Sequence, residues 1–149
     1  MPSAVETRPI TTEGFLQRDA EAPEDVALEL IRGELRECPM TVRSAVHSIC
    51  VSRFSRELLN WLDEHPERSG DVACGEVGCR IEKNPDTTVG LDVASFEGVT
   101  ADMQAGGSRY FDGPPVVAVE VLSLSDTHER WSERIRMLLA AGTRQVWVA

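Results

Sequence analysis

The stretch from Val116 to Val148 constrains the fold more than any other part of the chain. Val116–Leu122 is almost continuously aliphatic, which marks a strand buried on both faces. Thr127–Ala141 then carries Trp131, Ile135, Leu138 and Leu139 at helical spacing, and Gly142 stands where a helix C-terminus favours glycine. Gln145–Val148 is a second aliphatic strand. A strand, an amphipathic helix and a strand in that order form a crossover, which sets the two strands parallel in one sheet. The class is therefore α/β.

The rest of the chain supplies further strands and a second main helix. Leu28–Ile31 and Leu35–Cys38 flank Arg32-Gly33-Glu34 and read as a hairpin ended by Pro39. Ser44–His65 is the strongest helix, with Val51, Phe54, Leu58, Trp61 and Leu62 on one stripe and Pro66 and Gly70 as its stop. Asp71–Glu82 reads as a strand with a bulge near Gly75 and Gly78, Asn84-Pro85-Asp86 as a turn, and Thr88–Phe96 as the next strand. Gly98–Pro115 reads as a long Gly- and Asp-rich loop. The expected organisation is a flexible lead-in over residues 1–23 and a single domain over 24–149, a mixed sheet flanked by two main helices.

Composition narrows the function. The 149 residues carry a formal net charge of -10, so the overall field does not attract nucleic acid or anionic lipid. A nucleic-acid role requires a local basic face or a divalent cation between carboxylate and phosphate. No apolar run reaches the length of a membrane span and the N-terminal stretch lacks a secretory pattern, so a cytoplasmic location without membrane contact is expected. Cys38, Cys50, Cys74 and Cys79 show no close C-x-x-C pair and are expected to be reduced, structural thiols. Cys74 and Cys79, an odd number of positions apart in one strand, are expected on opposite faces.

Two carboxylates lie inside apolar strands. Asp92 follows Val89-Gly90-Leu91, and Glu120 follows Val116–Val119. Burying a carboxylate is costly unless it is paired or binds a cation. On neighbouring strands the two acids would converge on one Mg²⁺; as strand-end groups they would point into water. Periodicity leaves both readings open.

Gly113–Ser123 together with Arg134–Val148 resembles the core of the Uma-two (Uma2) family, whose members have the PD-(D/E)XK, restriction-endonuclease-like fold. Leu28–Leu35 resembles that family's opening hairpin, His47 its helix-start histidine, and Thr88–Ala94 its acidic strand; the resemblance spans roughly Leu28 to Val148. It implies a Mg²⁺- or Mn²⁺-dependent endonuclease acting on DNA, with Asp92 and Glu120 as metal ligands. Arg134 stands where the family has its catalytic lysine, on the helix rather than the strand. Arginine keeps the charge but is not a base near neutral pH. Glu34 and His47 are candidate supporting groups, whereas Lys83, the chain's only lysine, lies on another strand. Leu91 replaces the motif proline, and the chain stops at Ala149, where family members continue. These departures lead to the expectation of a truncated or degenerate copy, weak or inactive as a nuclease, and a homodimer. The alternative is a non-catalytic interaction module that retains the nuclease fold.

Overall fold

The computed structural model describes residues 8–39, 43–98 and 107–149. Within them the chain runs α1 (Thr12–Glu21), β1 (Val26–Ile31), β2 (Glu34–Pro39), α2 (Ala45–Glu64), β3 (Gly70–Glu82), β4 (Thr87–Glu97), β5 (Phe111–Asp112), β6 (Val117–Glu120), α3 (His128–Ala141) and β7 (Gln145–Val148).

The crossover read from sequence is present. β6 and β7 are parallel neighbours, Val117 beside Gln145 through Glu120 beside Val148, and α3 connects them. Thr127 caps α3 by accepting from the Arg130 N–H, and Gly142 closes it at φ 111°. The sheet is mixed: β1–β2, β1–β4, β3–β4 and β4–β6 pair antiparallel, and β3–β5 pairs parallel. Its two faces are covered by different helices. Ala118, Leu91 and Val89 join Leu138 and Met137 of α3 in one cluster, while Val119 and Val93 join Val51, Phe54 and Leu58 of α2 in another. Adjacent residues of β6 thus serve opposite layers, as strand alternation requires.

Several expectations change. The lead-in contains a docked helix from Thr12 to Glu21. Asp86 Oδ2 accepts from the Thr12 N–H at 2.9 Å and from its hydroxyl at 2.8 Å, and Phe15 is buried. A ten-residue helix with one buried aromatic has too little stripe to stand out in sequence. Part of the expected loop is β5, which lies beside Cys79 and Arg80 and stacks Phe111 on Phe96 at 3.9 Å; residues 99–106 of that loop lie outside the described part. Leu139 is exposed, since it stands about 100° round the helix from Leu138. Trp61 is exposed and stacks on His65 rather than on the sheet. Cys79 is buried and Cys74 exposed, and all four cysteines are free.

The β1–β2 turn needs positive φ at both central residues, Arg32 at 51° and Gly33 at 78°. A Cβ on Gly33 would stand 2.5 Å from Pro9 Cβ. Gly33→Ala is therefore expected to lower stability by about 2–3 kcal/mol, read from urea unfolding. A loss under about 0.5 kcal/mol would mean that the turn relaxes freely.

β4 gives the site its place. Along its outer edge β1 pairs only at Leu30 with Thr88, and β6 pairs only from Val93 to Ser95. Between these contacts the edge forks, leaving Gly90 to Asp92 without a strand neighbour on that side. Across β4, β3 bulges between Cys74 and Val77, where Gly75 and Glu76 both take positive φ.

Candidate active site at the strand fork

Asp92 sits in the fork and is 6% exposed. Its Oδ2 accepts from the Val121 N–H at 2.8 Å, a bond that ties β4 to the chain leaving β6. The β4–β6 register runs Ser95–Val117, Ala94–Ala118, Val93–Val119 and stops one residue short of Asp92 and Glu120, which remain near enough for the Asp92 charge to act on the Glu120 carboxyl.

His47 meets Asp92 from the α2 layer. Ser44 caps α2, its hydroxyl accepting from the His47 N–H at 3.1 Å, and this fixes His47 in the first turn. The ring is buried with Nε2 3.4 Å from Asp92 Oδ2, yet Nε2 makes no hydrogen bond. A histidine at a helix start is normally half-solvated; here the helix packs its first turn over the fork.

Glu120 meets the α3 layer. Its Oε1 is buried without a hydrogen-bond partner, and Arg134 Nη1 stands 3.8 Å away. Burial pushes the Glu120 carboxyl up to about 8, against the opposing pull of Arg134 and with the charges of Asp92, Glu76 and Glu29 adding to the rise. Burial thus favours the protonated form of this carboxyl when no cation is bound.

Arg134 reaches across the fork from α3. It donates to Gly90 O at 2.9 Å, the carbonyl left without a strand partner, and pairs with Glu29. Burial works against its charge, but Glu120 and Glu29 outweigh that and raise its pKa.

Glu29 is the residue that sequence reading missed. It belongs to β1, is mostly buried, and holds the Arg134 guanidinium. The signal was the same as for Asp92 and Glu120, a carboxylate between aliphatic neighbours in Leu28-Glu29-Leu30. Glu76, exposed and flanked by Gly75 and Val77, is a second acid that the sequence did not mark: φ 57° at the bulge turns its side chain over Gly90, and Arg43 holds it. Glu34 does not join, because it is exposed beside the hairpin turn, opposite Ile31. Lys83 is bound to Asp112 at 2.9 Å, beside β5.

Among the described residues no group of three or more His, Cys, Asp or Glu is arranged as a metal cage. Two carboxylates suffice for Mg²⁺, which retains several waters and takes the remaining oxygens from a phosphate. A buried, unpartnered Glu120 oxygen within reach of the Asp92 charge fits that demand, and a cation there would take the place of a proton.

The family described as "Uma2: Putative restriction endonuclease" matches residues 12–149. Among solved structures the chain is similar to the crystal structure of "a putative nuclease belonging to DUF820" from Anabaena variabilis. The two share 26% identity with a TM-score of 0.64, over 94% of this chain and 73% of that one. None of the curated proteins matches it. No described helix is long and apolar enough to cross a membrane.

Proposed function

This chain belongs to the Uma2 family, and on that premise we propose that the strand fork is the site of a slow, Mg²⁺-dependent endonuclease that hydrolyses DNA phosphodiester bonds. The observation that carries the reading is Glu120 Oε1, buried and unpartnered on the strand beside Asp92. A carboxylate so placed is stabilised by a proton or by a cation.

Asp92 and Glu120 would hold the cation. When bound, it supplies an acidified water and neutralises charge on the phosphate. Asp92 is kept in orientation by the Val121 N–H, and the buried His47 ring keeps bulk water from its α2 side. Arg134 offers a fixed positive charge to the phosphate. Its guanidinium does not exchange a proton at neutral pH, so it cannot replace a lysine as a proton carrier.

Supercoiled plasmid incubated with Mg²⁺ or Mn²⁺ is the test. Slow nicking is expected, lost by about 100-fold or more in Asp92→Ala, and raised about tenfold or more in Arg134→Lys. Nicking that survives Asp92→Ala would remove the fork as its source. A second reading, a non-catalytic interaction module or dimer, is favoured by the Arg134–Glu29 pair, which neutralises charge in the site without any metal. Absence of nicking in both wild type and Arg134→Lys would select it.

A further inference from the structure

A cleft of about 360 Å³ opens between the β1–β2 hairpin and α3. Its lining includes Glu29, Glu120 and Arg134 from the fork, and Arg36, Arg130 and Trp131 from the hairpin and helix. The volume is near the lower end for small-ligand sites, roughly 300–1,000 Å³, and accommodates about one nucleotide. We infer that this cleft takes one unpaired nucleotide, so that the substrate class of the site is single-stranded DNA in preference to intact duplex. The cleavage part of the inference rests on the endonuclease reading above; the binding part rests on the cleft alone.

Glu120 has its Oε1 buried and lines the cleft, so a phosphate that meets this group enters between hairpin and helix. In a duplex the phosphate is held on the outside of a stiff cylinder by paired, stacked bases. Bringing one nucleotide inward requires unpairing and unstacking it, a cost that a single strand largely avoids. The charge of -10 acts in the same direction, because a single strand depends less steeply than a duplex on neutralising its phosphates.

The cleft also offers the groups that an unpaired nucleotide uses. Trp131 shares the helical spacing of the apolar stripe of α3, but it is only half-buried, and His128 meets its ring edge-on at 4.7 Å. An aromatic ring in a cleft stacks any base without reading its sequence. Arg36 spans the mouth to Glu133, with bonds of 2.8 and 3.1 Å, but the pair is about half exposed. Such surface pairs are weak, so the guanidinium is free to turn to a phosphate. Arg130 crosses from α3 to Cys38 of β2 at 2.7 Å, placing a second guanidinium at the cleft wall.

The test is fluorescence anisotropy of a short labelled single strand and of a hairpin duplex of the same sequence, with Ca²⁺ as the cation, beside cleavage of both with Mn²⁺. The single strand is expected to bind about tenfold or more tighter than the duplex. Trp131→Leu, which stays apolar but cannot stack, is expected to weaken single-strand binding by about 5- to 100-fold, and Trp131→Phe to retain most of it. Equal or tighter duplex binding overturns the inference. So does unchanged binding by Trp131→Leu with an unchanged thermal midpoint. If wild type cleaves neither DNA while the single-strand preference and its dependence on Trp131 persist, the endonuclease reading fails and the cleft assignment stands. If Asp92-dependent cleavage proceeds equally on duplex and single strand, the endonuclease reading stands and the cleft assignment fails.

Discussion

Arg134→Ala is expected to lower stability by about 3–5 kcal/mol, the cost of stranding buried charge when one partner of an ion pair is removed. The substitution leaves Glu29 mostly buried with no cation, removes the charge nearest Glu120, and strips the Gly90 carbonyl of its donor. The thermal midpoint should fall by roughly 10 °C or more. The double change Glu29→Leu with Arg134→Met should recover most of the loss, because replacing both partners by apolar groups of similar volume removes the stranded charge as well as the attraction. Urea unfolding of the single and double variants measures this. Near-additive losses would mean that the two residues do not act as a pair.

Glu120→Gln is expected to change the dependence of stability on pH. In the folded protein burial lifts this carboxyl to about 8, from an ordinary value of 4.5. The folded state therefore holds a proton that the unfolded chain has already released. Unfolding releases that proton between these two values, so stability declines as pH rises through the window. The decline totals on the order of 5 kcal/mol at most, about 1.4 kcal/mol for each unit of separation. Glutamine imitates the protonated carboxyl and removes the dependence. Wild type and variant should thus match near pH 4.5, and the variant should be several kcal/mol more stable at pH 8.5 without divalent metal. Mg²⁺ should stabilise the wild type at high pH and leave the variant unchanged, since the cation takes the place of the proton. Parallel stability curves across pH would show that Glu120 is charged in the folded state.

Much of this arrangement was visible in local pattern. The aliphatic runs around α3 imply the parallel β6–β7 pair, and the same logic marks Asp92 and Glu120 as carboxylates in apolar surroundings. Glu29 carries the same mark, but in a segment read as a peripheral hairpin, where an isolated acid looks like a solvent-facing position. Its importance depends on β1 leaving β4 after one pairing, which opens the fork and exposes Glu29 to Arg134. That is a non-local event with no periodic trace.

His47 illustrates the same boundary. The Ser44 cap is a local signal, but burial of the ring depends on the crossing of α2 over the sheet. Thr12 and Asp86 are 74 positions apart, and their hydrogen bonds dock a helix too short to announce itself. The four-residue apolar stripe of α3 is wider than the strip that touches the sheet; Leu138 fills that strip, while Trp131 lines the cleft.

The most direct measurement is anomalous diffraction from crystals soaked in Mn²⁺. One strong peak is expected in the fork, ligated by carboxylate oxygens of both Asp92 and Glu120 at roughly 2.0–2.3 Å, with water completing the shell. A fork without a peak at saturating Mn²⁺, with Arg134 still seated on Gly90 O and Glu29, would contradict the account.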